Sequence, residues 1–246
     1  MAISQATAVD TEPRSIQAIT VCYNTPELIT RAVSSVKRFY PDLPIFIVDG
    51  SKRKSACYLA CEDLARRYPG IQVYHALRNI GHGDGMQYAV DQTRSEYLLL
   101  MDSDIQVLAP CLETMQARLT PGALGIGLVL KVDSTGHLQP EGVNYLHPYF
   151  CLLNRGIYRE LQPMRNHGAP LIDTMLAAHA RGIQVQDFDL AGYVEHKWRG
   201  TVAVNPRWMQ QLQPIPRYRV PIYAAADWLR SAWRGVRRMA GRGRSP

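Results

Sequence analysis

Apolar residues along the first hundred positions fall into two alternating rhythms. Short continuous runs, Ile16–Cys22 (IQAITVC), Ile45–Val48 (IFIV), Ile71–His75 and Tyr97–Met101 (YLLLM), have the length and β-branched content of buried strands. Between them the spacing is helical. Leu28, Ile29, Ala32, Val33 and Val36 form one stripe, with Pro26 at the first helical position and Thr25 as the expected cap. A second helix is expected over about Ala56–Arg67, and a short third one after the glycine-rich stretch at Asn79–Gly83. Strands alternating with helices at this spacing imply right-handed βαβ units and a mostly parallel sheet, an α/β fold of Rossmann-like character.

This topology has a functional consequence. All strand-to-helix loops fall on one sheet edge, where open α/β sheets bind ligands. Those loops are Tyr23-Asn24, Asp49-Gly50-Ser51, the Asn79–Gly85 turn and Asp102-Ser103-Asp104. The second half of the chain is less regular. Strands are expected over Ala123–Val132, Tyr149–Leu153 and Ile183–Phe188, a helix over Pro170–Arg181, and a loop through Gly192–Thr201. No internal repeat is visible. The expected organisation is a polar, disordered lead-in over 1–14, a single domain over 15–213 and a separate tail over 214–246.

Charge sharpens that last boundary. The chain carries a net +7, yet the last thirty of its 246 residues hold eight arginines and a single acid, Asp227, so the body before them is neutral. A neutral body argues against a nucleic-acid-binding core, which would carry its positive charge on a folded face. On a helical wheel over 222–240, Ile222, Trp228, Leu229, Trp233, Val236 and Met239 share one side, and Arg230, Arg234, Arg237 and Arg238 the other. Such a basic amphipathic helix suits an anionic membrane surface. The opposing expectation is a terminal helix that packs both tryptophans on its own domain. The N-terminus lacks the basic start and apolar stretch of a signal peptide, and no uncharged apolar run is long enough to span a bilayer. A cytoplasmic protein, either soluble or peripheral on the inner face of the cell membrane, is expected. The five cysteines, Cys22, Cys57, Cys61, Cys111 and Cys151, contain no C-x-x-C pair, which argues against disulfides and a thiolate zinc site and for a reducing compartment.

Asp102-Ser103-Asp104 is the first candidate for chemistry. Two carboxylates at the end of a buried strand are costly unless a cation lies between them, and a hard divalent ion, Mg²⁺ or Mn²⁺, is the natural partner. A turn with two solvated aspartates is the plain alternative. Asp49 ends IFIV in the same way and could accept from a base N–H or a ribose hydroxyl, or simply begin a turn. The glycines of Asn79–Gly85 allow close backbone approach at a helix N-terminus, which suits phosphate, but they lack both the G-x-G-x-x-G and P-loop spacings. His82 reads as a polar loop residue. In the late HKWRG segment, His196 could complete a metal shell, and Lys197 and Arg199 could neutralise a leaving diphosphate.

Taken together, ITVCYN-x-x-E-L, IFIVDGS, N-x-GHGDG-x-x-x-A, YLLLMDSD and HKWRG resemble the family-2 glycosyltransferases of the GT-A fold, over about residues 16–201. The resemblance implies that Cys22, Tyr23 and Asn24 contact the nucleotide, with Tyr23 as a stacking face. It implies that Asp49 bonds the base and that Asn79 and Gly81 line the nucleotide turn. Asp102 and Ser103 would reach the donor, with Asp102, Asp104 and His196 as metal ligands. It further implies an inverting single displacement from a nucleoside-diphosphate sugar. UDP is favoured because Tyr23 and Asp49 could stack on and bond to uracil, although they would serve other bases too, and the expected acceptor is a hydroxyl of a glycan, lipid-linked or cell-envelope molecule. Two departures stand out. Met86 occupies a position where many relatives carry arginine, and the usual acceptor-side Glu-Asp pair is reduced to Asp173 in PLIDTM, the expected catalytic base. The alternatives are a sugar nucleotidyltransferase, whose basic Gly-rich loop after the first strand is missing, and a non-catalytic nucleotide-sugar-binding module docking through its tail.

Overall fold

The computed structural model describes residues 15–165 and 168–197. In chain order the elements are β1 (Ile16–Cys22), α1 (Pro26–Phe39), β2 (Ile45–Asp49), α2 (Ala56–Arg67), β3 (Ile71–His75), α3 (His82–Gln92), β4 (Tyr97–Met101), β5 (Ile105–Val107), α4 (Leu112–Arg118), β6 (Gly125–Val132), β7 (Val143–Asn154), α5 (Arg155–Tyr158), α6 (Ile172–Ala180), β8 (Val185–Asp187) and β9 (Val194–His196). The main sheet has seven strands in the order β3-β2-β1-β4-β7-β6-β8. The β1–β2, β1–β4, β2–β3 and β6–β8 pairs are parallel, while β7 runs antiparallel to β4 and β6.

Strand alternation divides the core between the two sheet faces. Ala18, Ile47, Leu99 and Met101 pack with Ile29, Val33 and Val36 of α1 on one face. Ile19, Val48, Leu98 and Leu100 pack with Met86 and Ala89 of α3 and Met175 of α6 on the other. Each fully buried leucine or isoleucine contributes roughly 1.5–3 kcal/mol. Burial on both faces explains why YLLLM has no polar alternation, since every residue of β4 is buried.

The chain builds β1, β2 and β3 outward in one direction, then returns through α3 to place β4 on the other side of β1. The carboxyl ends of β1 and β4 therefore flank the point where the strand order reverses, the favoured crevice for a ligand. Glycine makes that return crossing possible. A Cβ on Gly85 would lie 2.9 Å from both methyls of Val21, so α3 can sit this close to β1 only with glycine at that position.

Several expectations are refined. α1 starts at Pro26, but the Thr25 hydroxyl makes no cap hydrogen bond; its carbonyl accepts from Ile29 N instead (3.1 Å). β7 begins at Val143, well before the expected Tyr149, and contains a bulge opposite Gly127–Val129. Pro148 falls within that bulge, where its missing N–H disturbs no ladder. The expected loop through Gly192–Thr201 contains β9, which pairs antiparallel with β5 in a separate two-stranded sheet. The expected lead-in over 1–14 and tail over 214–246 lie outside the described residues, as does Arg199.

Candidate active site

Asp102 and Asp104 emerge where β4 ends, held by backbone bonds on both sides of the turn. Asp102 N donates to Tyr149 O of β7 (2.9 Å), and Asp104 O accepts from Lys197 N after β9 (3.0 Å). The second bond belongs to the β5–β9 pairing, which sets Ile105 opposite His196. That register carries His196 across ninety-odd residues of sequence to the two carboxylates. Its Nε2 lies 3.2 Å from Asp104 Oδ1 and 3.4 Å from Asp102 Oδ2. Ser103, between the aspartates, is buried.

One oxygen of each aspartate and one nitrogen of His196 lie within 4.8 Å of one another, a spacing that one ion can bridge. Two carboxylates and an imidazole form a donor set suited to Mn²⁺ or Mg²⁺. Their side chains are 18 %, 10 % and 8 % exposed, so the carboxylates are largely shielded from water and require a compensating positive charge. The residues fit the metal that the resemblance implies.

The structure adds residues that the sequence did not single out. His82, the first residue of α3, places Nε2 3.1 Å from Asp102 Oδ1. The ring of Tyr149 stacks on that of His196, with centroids 4.7 Å apart and planes 5° from parallel. His147 lies edge-on to both rings. Tyr145, His147 and Tyr149 recur with period two, and this alternation within β7 was the available sequence signal.

The electrostatics follow from these neighbours. Burial works against ionisation of Asp102, but His82 and His196 outweigh it and hold the carboxyl well below the ordinary carboxylate range. Burial likewise opposes protonation of His196, yet hydrogen bonds to Asp102 and Asp104 raise its pKa to about 9. His82 is raised too, with Asp102 overcoming burial. For His147 burial outweighs the Asp102 charge and, with the charges of His196 and His82, lowers the pKa to about 4, so it is a neutral ring near pH 7.

The residues expected to face a nucleotide gather around the end of β1. Asn24, at φ 54°, turns the chain so that its N–H donates to Ser51 Oγ (2.9 Å), while Gly50 N donates to Cys22 O (3.0 Å). Tyr23 is half-buried, and burial raises the pKa of its hydroxyl. Asp49 differs from expectation in its surroundings. It is fully buried; Oδ1 accepts from Ser51 N (2.9 Å) and Oδ2 meets His75 Nδ1 (2.8 Å), so it fixes the loop from beneath. Cys22 is also buried and faces the core. Asn79 Oδ1 accepts from Gly81 N (3.2 Å) ahead of α3, and Gly81 has φ 89°. Met86 is buried in the core, so it cannot stand in for an arginine at the diphosphate.

Asp173 lies in the first turn of α6, partly exposed, with Oδ2 4.0 Å from Arg165 Nε. Lys197 is exposed just beyond β9.

The sequence matches the profile of Glycosyl transferase family 2 over residues 17–167, more than half of its length. The chain belongs to that family. Solved glycosyltransferases share the fold of this enzyme. The mannosyltransferase PcManGT from Pyrobaculum calidifontis, solved with GDP-Man and Mn²⁺, is 16 % identical with a TM-score of 0.60, over 89 % of this chain and 70 % of that one. Glucosyl-3-phosphoglycerate synthase from Mycobacterium tuberculosis, solved with Mn²⁺, UDP and glucosyl-3-phosphoglycerate, is 14 % identical with a TM-score of 0.53, over 80 % and 77 %. Residues 1–349 of TarS from S. aureus are 14 % identical with a TM-score of 0.53, over 73 % and 59 %. No curated protein matches the sequence. The enzyme is a family-2 glycosyltransferase with a GT-A-like fold.

Proposed function

We propose that this enzyme transfers a sugar from a nucleoside-diphosphate donor, UDP favoured, to a hydroxyl of a glycan, lipid-linked or cell-envelope acceptor, with inversion and with a divalent metal. The observation carrying this reading is the convergence of Asp102, Asp104 and His196 at the strand-order reversal. Asp102, Asp104 and His196 would hold Mn²⁺ or Mg²⁺. When bound, that ion supplies charge stabilisation for the departing diphosphate.

The remaining roles belong to the chain itself. Tyr23 offers a flat face on which uracil can stack, beside a loop that Asp49 and Ser51 hold in place. Asn79 and Gly81 shape the turn facing the donor, and Lys197 with Arg199 places positive charge on the leaving-group side. The neutral ring of His147 and the Tyr149–His196 stack wall the site and hold His196 in orientation. Asp173 takes the acceptor proton as the hydroxyl attacks the anomeric carbon; the new C–O bond forms as the bond to the diphosphate breaks. The basic segment over 222–240 docks the enzyme on an anionic membrane surface, which keeps it near a lipid-linked or envelope acceptor.

Thermal-shift screening of nucleoside diphosphates and their sugars, with Mn²⁺ and with chelator, tests the donor reading, because ligand binding raises Tm directly. Stabilisation by UDP and UDP-sugars that disappears on chelation is expected, with transfer abolished in Asp104→Ala. Donor binding indifferent to chelation, or full transfer by Asp104→Ala, would overturn the metal-dependent mechanism. Slow donor hydrolysis without any acceptor is expected as well, and donor binding with no such hydrolysis would argue against Asp173 as the base.

A further inference from the structure

Three of the five cysteines meet at one buried point where β1 and β2 end beside α2. Cys22 ends β1, and its strand partner in register is Asp49, the last residue of β2. Helix α2 lies across that sheet face and contributes Cys57 and Cys61, one turn apart and therefore on the same helix side. Cys22 Sγ is 3.6 Å from Cys61 Sγ, 3.7 Å from Cys57 Sγ and 3.8 Å from Asp49 Oδ1. All four donor atoms lie within 4.8 Å of one another, and all four residues are buried.

We propose that Cys22, Cys57, Cys61 and Asp49 form a structural zinc site, separate from the Asp102–Asp104–His196 centre. Tetrahedral zinc with Zn–S bonds of ~2.3 Å requires sulfur–sulfur edges of ~3.8 Å, close to the two short separations seen here. A disulfide would instead need ~2.05 Å between sulfurs. Soft thiolates with a single carboxylate select zinc over the hard ions suited to the oxygen-rich centre.

The surroundings supply what such a site needs beyond its ligands. Asp49 Oδ2 meets His75 Nδ1 (2.8 Å), and His75 Nε2 meets Glu62 Oε1 (2.9 Å), a carboxylate–imidazole–carboxylate chain that fixes the orientation of Asp49. Tyr58 stacks on His75 with centroids 3.8 Å apart. The site would join β1, β2 and α2 beneath the Tyr23–Asn24 and Asp49–Ser51 loops.

The test uses the full chain, purified without a metal-affinity column, with zinc measured by elemental analysis. Cobalt(II) is then exchanged into the protein and its absorption spectrum recorded. Stoichiometric zinc and an intense thiolate-to-cobalt charge-transfer band are expected. Both persist in Asp104→Asn and in Cys111→Ala, and both are lost in Cys61→Ser. The wild-type measurements stand even if Cys61→Ser fails to fold. Only trace zinc in the wild type with no charge-transfer band, or a Cys22–Cys61 disulfide in the purified protein, would overturn the proposal.

Discussion

His82 shows how a residue outside the expected metal trio can still govern it. Asp102 has two oxygens in different surroundings, Oδ1 3.1 Å from His82 and Oδ2 3.4 Å from His196. The His82 contact fixes the rotation of the carboxylate and thus the direction of the other oxygen. Groups that orient a metal ligand in this way typically contribute ~10–100-fold to metal affinity. His82→Asn, too short to reach Oδ1, is expected to weaken Mn²⁺ binding by about that factor. Calorimetric titration with Mn²⁺ measures it, and an accompanying melting curve separates the effect from instability: a variant that loses Tm but keeps its Mn²⁺ affinity would assign His82 to packing alone. Little in the sequence warns of this role, because His82 is one polar residue among glycines whose meaning depends on where α3 begins.

At the scale of elements, legibility in the sequence followed the length and regularity of each segment. β1, β2, β3, β4, α1 and α2 carry strong periodicity, and the loops after β1, β2 and β4 follow from that alternation. β9 has three residues and no period of its own, and it becomes a strand only because β5 pairs with it. Cys57 and Cys61 sit four apart on a helix, a spacing that matches no short thiol motif, and their meeting with Cys22 depends on α2 crossing the sheet. Two local devices that hold elements together can be tested. Lys37, near the C-terminus of α1, is buried and donates to the carbonyls of Pro41, Leu43 and Pro69, each at 2.8 Å. It thereby joins the α1–β2 and α2–β3 loops. Lys37→Met leaves these carbonyls without their charged donor and is expected to cost about 3 kcal/mol in denaturant unfolding. In the β6–β7 turn, Asp133 Oδ1 accepts from Thr135 Oγ1 (2.7 Å), Thr135 N (2.8 Å) and His137 N (3.0 Å). The Thr135 hydroxyl, then the two N–H groups, lower the Asp133 pKa to about 2. A depressed carboxyl pKa stabilises the folded turn above the unfolded value of ~3.9. That contribution is lost as pH falls through about 2. Carboxyl titration by NMR is expected to place the Asp133 midpoint near about 2 and to move it upward in Thr135→Val.

At the scale of the whole molecule, the distribution of charge sets the body of the chain apart from its last thirty residues. The first 216 residues balance acids against bases, so an anionic donor would be met by local positive charge at the metal centre and Lys197, without a basic surface. The +7 resides in the last thirty residues, where Trp228 and Trp233 share a helical-wheel side opposite four arginines. Near an anionic surface each arginine is worth about 1 kcal/mol, and the tryptophans add interfacial anchoring. Full-length protein is therefore expected to float with liposomes containing anionic lipid, while a chain ending at residue 216 stays in the dense fractions. Raised salt should reduce flotation by screening the arginines, and a remaining salt-resistant fraction would report the tryptophans. Equal flotation of the two proteins would rule out membrane docking by the basic segment. Retained donor binding by the shortened chain would then confirm that the truncation left the nucleotide side intact.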